Sequence, residues 1–199
     1  MEIIKEFFSE LDRSWRLPVA ERIPLRVIGS AALMLQAGYQ RGTKDSDILE
    51  TSALTPEISR ELLALAGKGS VLAIQHRLYL DIVKEAIPFL PPTPVFQPVV
   101  SLVSLRNFEV SALDVVDVVI SKLKRFNPND AADIRAMTEK GLVLHKLLVA
   151  RFQLAVDAYS MDARAEDMPK YIKNLNTVER DFLEAPESKI ALPDWLHQD

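Results

Sequence analysis

The apolar positions follow a helical period at the start of the chain and then fall into short runs. The first set, which predicts a helix over residues 3–15, is Ile3, Ile4, Phe7, Phe8 and Leu11. Short apolar runs predict strands at 25–28, 47–49, 71–74, 78–83 and one or two within 99–110. Helix formers predict helices at 31–36 and 56–66. Strands mixed with helices indicate an α/β or α+β core over roughly the first 110 residues.

Turn residues set the expected limits of these elements. Ser30 stands where the N-cap of the second helix is expected, and Gly38 is a typical C-terminal stop. Pro18 and Pro24 are expected to frame a loop. The proline-rich segment 88–98 cannot form a central strand and is predicted to be a surface loop.

The pattern beyond Ser111 is helical throughout. Helices are predicted at 113–126, 130–139, 142–158 and roughly 168–183. We therefore expect an α+β protein with an α/β core over residues 1–111. A helical C-terminal region, residues 112–199, is expected to pack on that core.

The composition argues against nucleic-acid-binding, membrane-spanning and disulfide-bonded classes of protein. The chain has 199 residues, 48% of them hydrophobic and 26% charged, with a net charge of -4 that argues against broad, charge-driven nucleic-acid binding. No apolar run of about 18 residues is free of charge, so no membrane span is expected. The opening segment, "MEIIKEFFSELDRSW", carries four acidic side chains, unlike a signal peptide. With no cysteine, disulfides are excluded, a reducing compartment fits, and we expect a cytoplasmic protein.

Two aspartates define the first candidate for chemistry. Asp45 and Asp47 stand at positions i and i+2 at the start of a predicted strand, so they share one face. Two carboxylates about 4 Å apart repel by about 4 kcal/mol at an effective dielectric of about 20. They would share a proton, abundant water or a hard cation such as Mg²⁺. Taken alone, however, the pair is more typical of a turn or an N-terminal loop than of a metal site.

Asp81 supplies a third acid in an otherwise apolar predicted strand. An ionised aspartate there is costly unless it is paired, ligated or at the end of the strand. If this strand neighbours the one with Asp45 and Asp47, three carboxylates converge.

Other residues could hold phosphate. Gly29 and Ser30 lie between a strand and a helix, where free backbone N–H groups and the helix dipole favour an anion, although a plain helix cap explains them too. Lys122 lies at the apolar margin of its helix; it either extends its ammonium to solvent or reaches a bound anion. Asp130 and Asp133 could hold Lys122 or Arg125 in place, or serve the N-terminus of the next helix.

These residues resemble the nucleotidyltransferase superfamily, which includes DNA polymerase β. The matching signature is Gly29-Ser30, a short helix, the Asp45-x-Asp47 strand and Asp81 on a later strand. The longer gap between Ser30 and Asp45 is similar to that of AbiEii-type toxins of type IV toxin–antitoxin systems and related bacterial nucleotidyltransferases.

Two segments carry this closer resemblance. The first is 29–48, "GSAALMLQAGYQRGTKDSDI", whose tail Arg41-x-Thr43-x-Asp45-x-Asp47 is the most specific part. The second is 117–134, "DVVISKLKRFNPNDAADI". The resemblance covers about residues 25–137 and does not extend to the end of the chain, residues 140–199.

The resemblance implies a nucleotidyltransferase-like mixed sheet and a two-metal site. Asp45, Asp47 and Asp81 would bind Mg²⁺ or Mn²⁺, and Asp81 would help activate an acceptor hydroxyl. The residues expected to bind the nucleoside triphosphate (NTP) are Gly29, Ser30, Arg41, Thr43 and Lys122.

The expected activity is transfer of a nucleoside monophosphate from an NTP to a hydroxyl of RNA, protein or a small molecule. The resemblance also implies a toxin with an antitoxin partner. One alternative is an inactive module of the same fold that binds nucleotides or a partner. Another is an unrelated regulatory or nucleic-acid-binding domain in which D-x-D is a turn. His76, His145 and His197 lack metal-ligand spacing, and His145 is expected at the surface.

Overall fold

The computed structural model describes residues 2–18, 20–39, 45–84, 88–159 and 166–192. The elements up to residue 83 are, in order, α1 (Glu2–Ser14), β1 (Ile23–Val27), α2 (Gly29–Ala37), β2 (Asp45–Leu49), α3 (Pro56–Ala66), α4 (Val71–His76) and β3 (Tyr79–Val83). Those that follow are β4 (Phe96–Pro98), a 3₁₀ turn (Val100–Leu102), β5 (Phe108–Leu113), α5 (Val115–Leu123), α6 (Pro128–Glu139), α7 (His145–Tyr159) and α8 (Met168–Asp181). The described chain thus has the mixed α+β composition that the pattern predicts.

The five strands form one sheet in the order β3-β2-β1-β5-β4. β1 pairs antiparallel with β2 and parallel with β5, whereas β2 and β3 run parallel. The edge strand β4 is antiparallel to β5. This mixed sheet with flanking helices is consistent with a nucleotidyltransferase-like fold.

The two faces of the sheet have opposite character. Side chains alternate between faces along each strand. Most of one set is buried, whereas its members Ile82 and Gln97 are half-buried and exposed. The buried members are Ile23, Leu25, Val27, Ser46, Ile48, Leu80, Phe108, Val110 and Ala112. The other set includes Asp45 and Asp81, which are exposed, and Asp47, which is half-buried, together with the buried Leu49 and Leu113. The second face, which we call the polar face, therefore presents the acids.

Most predicted elements are confirmed within a few residues, and their ends have clear causes. Thr55 caps α3 by accepting a hydrogen bond from the Ile58 N–H, and Gly38 ends α2 in the left-handed conformation. The predicted cap at Ser30 is wrong, since the N-cap is Ile28 and α2 begins at Gly29. This shift places Gly29 and Ser30 in the first turn of the helix.

The run at 71–74 is helical, so the predicted strand is wrong there. Ser70 accepts a hydrogen bond from the Ala73 N–H at 3.1 Å and caps α4. Val71 and Ile74 are 83% and 71% exposed, so their apolar character does not mark a buried strand. A short apolar run cannot distinguish the two structures by periodicity alone.

Two further predictions, both based on prolines, differ from the structure. Pro24 lies within β1 rather than in a loop; β2 pairs with β1 only at Arg26 and Val27, so no β2 partner requires an N–H at Pro24. The segment 88–98 is only partly a loop, because it ends in the edge strand β4. It is also not confined to the surface, since Phe89 is fully buried.

The chain divides into two compact units. The first comprises residues 1–87 and 96–114, and the second residues 88–95 and 115–199. In the first unit, α2 contacts β2 and β5. In the second, Phe89 packs against the rings of Phe152, Tyr159 and Tyr171.

A buried ion pair fixes the 88–95 segment within the second unit. The Arg151 guanidinium donates to both oxygens of the buried Asp117 carboxylate, which also accepts from the Val95 N–H at 2.8 Å. Arg151 donates further to the Thr93 carbonyl. Among the helices that the structure describes, none combines the length and apolar character needed to cross a bilayer.

Candidate active site

The turn from β1 into α2 brings Gly29 against Asp47. The Ile28 N–H donates to the Asp47 carbonyl at 2.9 Å, so the chain leaves β1 beside the acidic strand. Gly29 has φ +64°, and a Cβ added there would lie 3.3 Å from Asp47 Oδ2. The position therefore favours glycine both for its backbone conformation and for the close approach of a carboxylate.

The three predicted acids share one face of two adjacent strands. Asp47 and Asp81 are direct partners in the parallel β2–β3 register, and Asp45 is the partner of Tyr79. Asp45 precedes Asp47 by two residues, so both point to the polar face. The sequence condition, that the strand of Asp81 must neighbour the strand of Asp47, is met.

The pKa of Tyr79 reflects the proximity of these three charges. Burial raises the pKa of its phenol, and the negative charges of Asp45, Asp81 and Asp47 raise it further. All three carboxylates therefore act on one half-buried side chain. Sequence reasoning missed Tyr79, although its place two residues before Asp81 on the same strand puts it on the same face.

The acids suit a hard divalent cation in chemical type, because Mg²⁺ prefers carboxylate oxygens. Their arrangement is not that of a preformed metal cage. Within the described residues, no group of three His, Cys, Asp or Glu side chains is close enough together to hold an ion. Asp81 also has a local partner, since its Oδ1 accepts a hydrogen bond from the N–H of Ile82 at 2.9 Å. Three carboxylates on one face and the glycine cradle fit a cation, provided that the Asp81 side chain turns from this local bond.

Comparison with known proteins bears on this arrangement. A protein-family model described as "Nucleotidyltransferase of unknown function (DUF6036)" matches residues 6–147, well over half of the chain. The chain belongs to this nucleotidyltransferase family. No curated protein and no solved structure matches it. The matched range contains every site residue that the sequence predicts.

Three of the predicted nucleotide-binding residues of this nucleotidyltransferase family member lie in or near the segment between β1 and β2. Ser30 is half-buried in the first turn of α2, next to Gly29. Arg41 and Thr43 lie outside the described residues, so their predicted nucleotide contacts stay predictions.

Lys122 belongs to the second unit, where two acids hold its ammonium. Lys122 Nζ lies 2.8 Å from Asp133 Oδ2 and 3.1 Å from Asp130 Oδ1, and the lysine is only 7% exposed. Arg125 donates from Nε to Asp130 Oδ2 at 2.8 Å. The prediction that Asp130 and Asp133 hold Lys122 or Arg125 is confirmed for both cations. Contact of Lys122 with a triphosphate stays a prediction.

Two histidines of the described chain have carboxylate partners. His145 Nε2 lies 2.8 Å from Oε1 of Glu179, which is fully buried, while the His145 side chain itself is 29% exposed and so lies partly at the surface. His76 Nε2 lies 2.6 Å from Glu10 Oε2, and this hydrogen bond lowers the Glu10 pKa. Each histidine thus joins two helices, and these contacts give it a structural role.

A surface cleft of about 520 Å³ also lies in the first unit. Its lining includes Ile23, Pro24 and Glu109, at the start of β1. Because β2 is antiparallel to β1, Asp45 and Asp47 lie at the other end of β1. The cleft is therefore separate from the acids.

Proposed function

We propose that the protein is a Mg²⁺- or Mn²⁺-dependent nucleotidyltransferase that transfers a nucleoside monophosphate from an NTP to an acceptor hydroxyl. The observation that carries the proposal is the pairing of Asp47 with Asp81 in register, with Asp45 on the same face. The approach of Gly29 to Asp47 supports it. Membership of the nucleotidyltransferase family supports the general reaction.

In this proposal, residues of α2 bind the triphosphate and residues of β2 bind the cation. Gly29 and Ser30 present the first-turn N–H groups of α2 to the triphosphate, where the positive end of the helix dipole favours anions. Asp45 and Asp47 would hold the divalent cation, with Asp81 on the same face as a further ligand. When bound, Mg²⁺ supplies neutralisation of the charge that develops on the attacking and leaving oxygens.

Asp81 acts on the acceptor. Its carboxylate takes the proton from the acceptor hydroxyl as the hydroxyl oxygen bonds to the α-phosphorus. The bond from that phosphorus to the bridging oxygen breaks, and pyrophosphate leaves. This role requires the Asp81 side chain to rotate away from the Ile82 N–H.

The acceptor and the toxin role rest on the resemblance. RNA, a protein and a small molecule are all acceptors of the expected type. The spacing between Ser30 and Asp45 supports an AbiEii-like toxin with an antitoxin partner. These finer assignments are predictions of the proposal.

An inactive nucleotide-binding or partner-binding module is the second candidate. The bond between Asp81 Oδ1 and the Ile82 N–H favours it, because it engages one oxygen of the third acid. Binding of Mg²⁺·NTP without any transfer would select this function. Transfer that depends on Asp81 would exclude it.

The test is transfer of label from α-³²P NTPs to RNA or protein in the presence of Mg²⁺. Asp47→Asn should reduce transfer by at least roughly 100-fold, on the order of what single groups contribute to such catalysis. Glu109→Gln, an exposed acid on another strand of the same sheet, is the matched control and should leave the rate unchanged. Equal transfer by wild type and Asp47→Asn would refute the proposal.

A further inference from the structure

The cross-strand row that holds Asp81 and Asp47 continues through two buried apolar residues, Ile28 and Leu113, to an aromatic ring that contacts an arginine. Ile28 lies opposite Asp47, one residue beyond the paired Val27 and Ile48, and donates its N–H to the Asp47 carbonyl. On the other side of β1 the parallel register pairs Val27 with Ala112, so the next pair is Ile28 with Leu113.

Leu113 in turn pairs with Phe96 on β4. One cross-strand row therefore runs from Asp81 through Asp47 to Phe96. Residues directly opposite one another share a face of the sheet, so Phe96 lies on the face of the acids. Three strand spacings of about 4.8 Å separate Phe96 from Asp47, or about 14 Å.

Arg26 belongs to the same face, two residues before Ile28 on β1. Its guanidinium carbon lies 5.3 Å from the centroid of the Phe96 ring, within the range of a cation–π interaction. Arg26 is exposed and Phe96 half-buried, and the ring contact holds the guanidinium in place. In the part of the chain that the structure describes, Arg26 forms no ion pair with a carboxylate.

A guanidinium stacked on an aromatic ring suits a nucleotide. Nucleobases stack on aromatic rings and on the plane of an arginine, and the same guanidinium binds phosphate. A site three strands from Asp47 lies within reach of a nucleotide whose phosphate is at the acids.

We propose that Arg26 and Phe96 form a subsite that holds the base of a nucleotide unit on the polar face. The proposal rests on the proposed function, which puts the reacting phosphate at Asp45 and Asp47. The nucleotide unit comes either from the donor NTP or from an acceptor strand; both present the same base and phosphate. Arg26 binds the phosphate or the base edge, and Phe96 supports the stack.

Two binding measurements distinguish the sources. In one, calorimetry measures the affinity for the α,β-imido analogue of each of the four NTPs with Mg²⁺. In the other, fluorescence anisotropy measures the affinity for a 5′-fluorescein RNA decamer. The variants are Arg26→Ala, Arg26→Lys and Phe96→Ala, with Arg60→Ala as the control because Arg60 is an exposed arginine on α3.

We expect Arg26→Ala and Phe96→Ala each to lower the affinity for one of the two probes by about tenfold. A lower affinity for the NTP analogue would assign the subsite to the base of the donor NTP. A lower affinity for the RNA decamer would assign it to the acceptor strand. Arg26→Lys should lose most of the affinity as well, since an ammonium lacks the planar stacking surface. For the decamer, Arg26→Ala should also flatten the dependence of log K on log salt by about 0.7.

The subsite is refuted if the variants match wild type for both probes, or if wild type binds neither. A lower melting temperature with unchanged affinities also refutes it, because Arg26 would then only brace β4. The proposed function fails separately, through Asp47→Asn in the transfer assay. A fall in affinity on Arg26→Ala with full transfer by Asp47→Asn would keep the subsite and reject the mechanism.

Discussion

Gly29 combines two constraints whose effects can be separated. Its φ of +64° disfavours any L side chain, and an added Cβ would lie 3.3 Å from Asp47 Oδ2. We expect Gly29→Ala to lower the free energy of unfolding by about 1–2 kcal/mol, measured by urea denaturation. We also expect it to reduce nucleotidyl transfer, because the methyl group displaces the Asp47 carboxylate.

Gly141→Ala is the matched control for this prediction. Gly141 has φ +69°, but an added Cβ there meets no atom within 4 Å. It should lose similar stability and keep its transfer rate. Full activity of folded Gly29→Ala would show that the approach to Asp47 has no catalytic importance.

The acids could be found from the sequence because an ionised carboxylate in an apolar strand, or beside a second carboxylate, costs free energy unless a partner offsets it. Asp81 stood out among apolar neighbours, and its pairing with Asp47 confirms the predicted convergence. Tyr79 was missed because a tyrosine is ordinary in a strand. Only the β2–β3 register places it opposite Asp45.

The contact between α5 and α6 depends on a buried charge cluster. Lys122 contacts Asp130 and Asp133, both almost fully buried. Lys122→Met removes the ammonium and leaves the two carboxylates in a poorly solvated site. We expect it to lower the free energy of unfolding by about 3–5 kcal/mol, measured by urea denaturation.

Lys146→Met is the control for this substitution, since Lys146 is exposed on α7. It should change stability by less than about 0.5 kcal/mol. A similarly small effect of Lys122→Met would mean that the cluster adds nothing to the stability of the fold.

Asp130 also predicts a dependence of stability on pH. Burial opposes ionisation of its carboxyl, but Arg125 and Lys122 outweigh burial and hold the pKa below its usual value of 3.8. Between the lowered pKa and the usual value, the unfolded chain binds more protons than the folded one, so stability rises with pH. The contribution is complete above that window and is lost as the pH falls through the folded-state pKa.

Urea denaturation over a pH series measures this contribution. Asp130→Asn should flatten the acidic limb of the stability curve, whereas Glu57→Gln, an exposed acid on α3, should not. An unchanged acidic limb in Asp130→Asn would contradict the assignment of the lowered pKa to this site.

At the level of helices and strands, prediction succeeded where caps or long periodic runs were present. Thr55 and Gly38 mark real helix ends, and the helices after residue 114 follow their apolar periodicity. It failed at 71–74, where a short apolar run fits either structure and the Ser70 cap decided. It also failed at Pro24, where the absence of a β2 partner depends on sheet register.

For the molecule as a whole, the pattern indicated an α+β protein but not the order of its strands. The order β3-β2-β1-β5-β4 places β1 beside β5, although three other strands separate them along the chain. Such long-range pairing depends on packing of the buried sheet face rather than on local propensity. The family resemblance supplied the expectation of a nucleotidyltransferase-like sheet, and the register then put the acids together.

The central claim is that Asp45, Asp47 and Asp81 bind a divalent cation together with an NTP. Anomalous diffraction from crystals grown with Mn²⁺ and an α,β-imido NTP analogue tests it most directly. The account predicts a Mn²⁺ peak within direct coordination distance of carboxylate oxygens of Asp45 and Asp47, with the Asp81 carboxylate also facing the site. Bound analogue with no metal peak at these aspartates, or with Mn²⁺ bound elsewhere, would contradict it.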